Sequence, residues 1–173
     1  MVAAYAGLLA LVAVERIAEL RLSRRNTAWA LSQGGIELGS GQMIWMKLLH
    51  TSFFASCLLE VLLLDRPFLP WLGIPMLAVS IVAQALRYSA IAALGPRWNV
   101  RVIVVPGMPA VKTGPYRFLR HPNYLAVVLE MFAVPLIHTA LLTAAVFSAL
   151  NLVLLRVRIR VEESALERYC TAA

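Results

Sequence analysis

Charge is what this sequence has least of: only 14% of its 173 residues are Asp, Glu, Lys or Arg. A soluble domain devotes about 25% to those four types. The shortage, set beside 61% hydrophobic residues, excludes a water-facing globular surface. Cysteine is nearly absent too. Cys57 sits inside an apolar run and Cys170 at the tail, with neither metal-ligand spacing nor a disulfide framework, so no metal site is expected. No basic segment precedes the apolar run that starts at Val2, and further apolar runs follow, which predicts a retained first helix and not a cleaved signal peptide. Nor is there a polar stretch long enough for an appended soluble domain. Residues 1–173 read as a single integral membrane domain with room for roughly five spans of about 20 residues.

What is present is a series of apolar segments, at 2–22, 44–64, 68–93, 122–137 and 139–157. They predict an all-α, polytopic membrane protein of about five transmembrane helices. Only His138 separates the last two, so these form a hairpin or a broken re-entrant pair that bends at Pro135 and His138. A polar connector covers 32–42. A non-spanning segment, 97–119, carries Arg97, Arg101, Lys112 and Arg117 with the turn dipeptides Pro106-Gly107 and Gly114-Pro115. The net charge is +7, but the cations lie beside apolar spans and not along a polar, aromatic-laced stripe, which argues against nucleic acid. Arg21, Arg24, Arg25, Lys47 and the cations of 97–120 fall on one side of the predicted topology. The positive-inside bias makes that side cytoplasmic, leaving the N-terminus outside and the C-terminus inside the plasma (inner) membrane.

Two polar constellations stand out at that cytoplasmic side. In the first, Arg120-His121-Pro122-Asn123-Tyr124, proline suits the first turn of a helix, where its missing N–H is no loss. His121 and Tyr124 are then one turn apart on one face, beside free N–H groups and the positive end of the helix dipole. That arrangement can receive an anion, although Arg117 and Arg120 alone could simply snorkel to headgroups. In the second, Arg156, Arg158, Arg160, Glu162 and Glu163 extend the fifth helix beyond the bilayer. Arg158 and Glu162 stack at i,i+4, which either makes a helix end soluble or faces the basic cluster to form a cup for a zwitterion. Ionisable residues also fall inside the spans: Glu15, Arg16, Glu19, Glu60, Arg87 and Glu130. Glu130, about two turns into the fourth span, either meets a substrate head group or pairs with Arg87. His50 and His138 read as structural or interfacial.

The run "TGPYRFLRHPNY" (113–124), followed by "RVRIRVEESAL" (156–166), resembles the isoprenylcysteine carboxyl methyltransferase family of integral membrane methyltransferases, marked by Arg-His-Pro-x-Tyr and a terminal Glu-Glu pair. With "RIAELRLSRRNTAWALSQGGIELG" (16–39) the chain is similar to the short bacterial branch acting on phenolic lipids, including enzymes that methylate alkylpyrones and alkylresorcinols. The resemblance implies S-adenosylmethionine in a cytoplasmic pocket under the last two helices, and a lipid-like acceptor arriving from the bilayer. It implies that Arg120, His121 and Tyr124 hold the methionine carboxylate and ribose region and that Glu162 or Glu163 takes the ammonium or ribose hydroxyls. The turn holding Val105, Gly107 and Thr113 would supply backbone contacts to adenine. Arg158 would face the reacting centre, with Glu130 as a second catalytic candidate. The acceptor is either a prenylcysteine carboxylate or a phenolic polyketide lipid, and a monomer is expected. Phospholipid amine N-methylation, a nicotinamide-dependent membrane reductase and a non-enzymatic membrane protein are the competing readings.

Overall fold

The computed structural model describes residues 1–170. Five helices, α1 (Val2–Ser32), α2 (Gln42–Leu63), α3 (Pro70–Leu94), α4 (Pro122–Leu136) and α5 (Leu141–Tyr169), alternate in direction. Helices α2, α3 (continued to Arg97) and α5 are long and apolar enough to cross a membrane. Helix α4 has only 15 residues, and α1 carries Glu15, Arg16 and Glu19 in its apolar part. Exposed Leu11, Val14, Ile44, Trp45, Leu48, Ile81 and Val82 make the outer face of the bundle apolar, as contact with acyl chains requires. The chain is a membrane protein.

The first helix continues well past the predicted end of the first span. Arg21, Arg24 and Arg25 end an apolar run, but arginine is a good helix former. No proline or glycine follows until Gly34, whose φ of 78° lets the chain turn. Pro122 occupies the first turn of α4. The bend between α4 and α5 occupies residues 137–140, and Thr139 Oγ1 donates to the Pro67 carbonyl at 2.6 Å.

Helix α4 is the buried element, with Ala126, Val127, Met131, Ala133 and Val134 all covered, and it packs against α3 and α5. Tyr5, Leu49, Phe53, Cys57 and Val61 complete the core from α1 and α2. At the start of α5 the Glu60 carboxylate accepts from Leu142 N (3.1 Å), Thr143 N (2.7 Å) and Thr143 Oγ1 (2.7 Å). Arg66 Nη2 lies 2.9 Å from it.

At the other end of the bundle a two-stranded ribbon accompanies the helices. Strand β1 (Ile36–Leu38) pairs antiparallel with β2 (Val102–Val104), Glu37 opposite Ile103. Arg101 and Glu37 add an ion pair at 2.9 Å. Ser23 Oγ donates to Asn99 Oδ1 at 2.6 Å, and Asn26 Nδ2 to the Trp98 carbonyl at 2.7 Å. The segment leading into α4 is thus fastened to the last turns of α1.

Candidate active site

His121 immediately precedes Pro122, a position that proline forces out of helical backbone, and its φ/ψ of −132°/63° is accordingly non-helical. Pro122 has no N–H, and the His121 carbonyl accepts from Tyr124 N and Leu125 N, both at 3.1 Å, so within the first turn of α4 the Asn123 N–H keeps unused donor capacity. One turn on, the Tyr124 ring stacks on the His121 ring with centroids 5.4 Å apart and 22° between planes.

Helix α5 brings the opposite charges to the same place. Arg158 Nε donates to Tyr124 Oη at 2.9 Å, and the tyrosine hydroxyl in turn donates to Glu162. Arg158 also donates to the Val100 carbonyl through Nη2. Glu163 Oε1 lies 3.3 Å from His121 Nε2 and 3.7 Å from Arg120 Nη1. The two arginines differ in kind. The Arg120 side chain is 90% exposed and sits on the rim, whereas Arg158 retains 6% exposure and is an interior group.

Two cavities meet at this network. The smaller, of about 140 Å³, has a mixed lining and is the more polar of the two; this polar cavity lies between the 97–111 segment, the start of α4 and the end of α5, with Val105, Tyr116, His121 and Glu162 in its wall. An apolar one of about 440 Å³ reaches into the bundle between α1, α2 and α4, lined by Ala13, Ile17, Met46, Phe54 and Val127. Trp98, Asn99, Asn123, Tyr124 and Arg158 line both, so they form the shared wall. In that wall Trp98 Nε1 and Asn123 Oδ1 are buried without a hydrogen-bond partner, a condition that buried polar atoms rarely tolerate unless something completes them. Beside Glu162, burial first and that carboxylate second push the Tyr116 phenol above its ordinary value, so it remains a donor at neutral pH. Burial also raises the Cys170 thiol, against a smaller opposite pull from Arg97, leaving it a poor nucleophile.

Of the residues singled out in the sequence, Arg120, His121, Tyr124, Arg158, Glu162 and Glu163 come together here, and Val105 lines the polar cavity. Gly107 N donates to the Tyr169 carbonyl at 2.9 Å, and the Thr113 carbonyl accepts from Tyr116 N at 3.1 Å, so both brace the loop without lining the cavity. Glu130 stands apart. Its carboxylate pairs with Arg87, and Arg16 Nη2 lies 3.7 Å away, while Glu19 bridges the same two arginines at 2.9 Å and 3.7 Å. Glu130 lines neither cavity, whereas Arg16, Glu19 and Arg87 line the apolar one. Sequence reasoning passed over Trp98, Asn99, Asn123 and Tyr116. Asn123 lies inside the His-Pro-Asn-Tyr run and Trp98-Asn99 directly follows Arg97, so adjacency was the available signal.

A profile of the isoprenylcysteine carboxyl methyltransferase (ICMT) family matches residues 76–168, more than half the chain and a stretch that contains every side chain of this network. The chain belongs to this family. It is therefore a membrane methyltransferase at the level of class. The chain is also 42% identical over 163 residues to "Uncharacterized protein YpbQ" of Bacillus subtilis (strain 168), covering 94% of this chain and 96% of that one. An "Uncharacterized protein" of Haemophilus influenzae is 28% identical over 152 residues, covering 87% and 88%.

Proposed function

We propose that this protein transfers a methyl group from S-adenosylmethionine to an oxygen of a lipid-like acceptor, a phenolic or polyketide lipid or a prenylcysteine carboxylate. The single observation that carries this reading is the shared wall: a polar cavity and an apolar cavity separated only by Tyr124, Arg158 and their neighbours. A charged donor and an apolar acceptor need such a meeting point, because each must be desolvated by a different kind of surface.

The residues present fit the donor. Glu162 and Glu163 offer acceptors for an ammonium or ribose hydroxyls, while His121, Arg120 and the Asn123 N–H at the start of α4 offer donors for a carboxylate. The orphaned Trp98 and Asn123 atoms give the wall further hydrogen-bonding capacity. The polar cavity takes the charged end of the donor, and the loop through Val105 and Gly107, braced by Thr113, lies along the remainder. When bound, the donor supplies an electrophilic sulfonium methyl. Arg158, held by Tyr124 and the Val100 carbonyl, orients and stabilises an oxyanion at the end of the apolar cavity. Glu130 acts at one remove, keeping Arg16 and Arg87 in place along the apolar cavity. Positioning and exclusion of water supply the rate, with no covalent enzyme intermediate. We place all five helices in the plasma membrane, with the N-terminus outside and the polar cavity on the cytoplasmic side, acting as a monomer.

Calorimetric titration of detergent-purified protein tests this directly. S-Adenosylhomocysteine is expected to bind and a nicotinamide nucleotide is not. Binding of the nucleotide alone would replace the methyltransferase reading with a reductase.

A further inference from the structure

The apolar cavity contains a base that this reading leaves unused. His50 lies on α2 in the cavity wall with Lys47 and Thr51. Its Nδ1 stands 2.8 Å from the Met46 carbonyl oxygen. A carbonyl oxygen can only accept, so in the neutral ring the hydrogen resides on Nδ1 and Nε2 is a bare lone pair. No hydrogen bond joins Nε2 to any described residue, and it is not among the sealed polar atoms of the interior. The charged groups acting on this ring are Arg16, Arg87 and Arg158, all of which line the same cavity, with Lys47 on its own helix. Glu19, the carboxylate in this cavity wall, is engaged by Arg16 and Arg87, which also hold Glu130 outside it. The cavity thus pairs a cation that can hold an oxyanion with an imidazole free to take a proton.

A carboxylate acceptor arrives ionised and needs no base, whereas a neutral hydroxyl does. We propose that His50 is the general base for a hydroxylated acceptor, and that the apolar cavity accordingly serves a phenol or enol and not a carboxylate. The acceptor O–H bond breaks, directly or through one water, its proton passes to Nε2, and the electron pair stays on oxygen. That pair forms the new O–C bond as the C–S pair of the donor leaves with sulfur. Arg158 stabilises the oxygen between the two events. This inference rests on the methyltransferase reading above.

The experiment compares full-length wild-type protein with His50→Gln and His50→Asn in detergent. The two acceptors are a long-chain alkylresorcinol and a fatty acid of equal tail length. Wild type is expected to methylate the phenol. Both variants should bind S-adenosylhomocysteine as wild type does, yet lose about 100-fold or more in kcat on the phenol with little change in KM. The ionisation seen in the wild-type pH profile should vanish with them. A second readout needs no donor: in ¹⁵N-imidazole spectra of wild type, addition of the alkylresorcinol should move Nε2 of His50 from a bare to a protonated signal. Unchanged phenol turnover in both variants, or wild-type methylation of the fatty acid and not of the phenol, overturns the assignment while leaving the methyltransferase reading intact. Failure of wild type to bind S-adenosylhomocysteine overturns both.

Discussion

Helices α4 and α5 begin at opposite ends of the bundle, and the two starts are treated differently. At the start of α5, Glu60 receives two backbone N–H groups and a hydroxyl, and Arg66 balances its charge. The positive end of that helix is filled by the protein itself. At the start of α4 Glu162 and Glu163 instead engage the side chains of Tyr124 and His121, and neither takes the Asn123 N–H, the donor of the first turn that the His121 carbonyl leaves over. The same electrostatic feature is therefore closed in one place and left open in the other, and the open one borders a cavity. The contrast teaches that a carboxylate beside a helix start marks a site only when it leaves the start unsatisfied.

Three substitutions test that contrast, in falling order of effect. Glu60→Ala strips α5 of its cap and strands Arg66, and should lower stability by about 3 kcal/mol. That loss should appear as a depressed thermal midpoint in detergent, with the affinity of the folded fraction for S-adenosylhomocysteine unaltered. Glu162→Gln should do the reverse: donor-product affinity falls about 10- to 100-fold, the worth of a charge-assisted hydrogen bond, while the midpoint holds or rises. If instead Glu162→Gln melts the protein and Glu60→Ala weakens binding, the assignment of open and closed ends is inverted. Arg120→Ala, on the exposed rim, should weaken binding by no more than about fivefold, and less at high salt. A larger loss in the same titration would move Arg120 from the rim into the site.

The sequence revealed most where neighbours in the chain are neighbours in space. Pro122 and the one-turn spacing of His121 and Tyr124 announced the start of α4, and Pro135 with His138 announced the bend before α5. The charges Arg21, Arg24 and Arg25 end the apolar part of α1, and the helix itself runs on to Ser32, where the polar connector expected at 32–42 takes over. The ribbon was invisible: each strand has three residues, too few for an alternating pattern, and its partner lies across two helices of chain. Pairing of Glu130 with Arg87 was one of two open readings, but Arg16 and Glu19 join that cluster from the first helix, and nothing local brings them there. His50 drew no interest because its meaning depends on Met46 fixing its tautomer and on a cavity formed by other helices.

The family profile begins at residue 76, but the ribbon ignores that boundary. Through Ile36–Leu38, Ser23 and Asn26, the first third of the chain grips the strip from Trp98 to Val104 that walls both cavities. A fragment trimmed to the matched region would keep each signature residue and lose the clamp that holds them in register. The stretch that the family profile matches is thus shorter than the stretch whose contacts hold the site together.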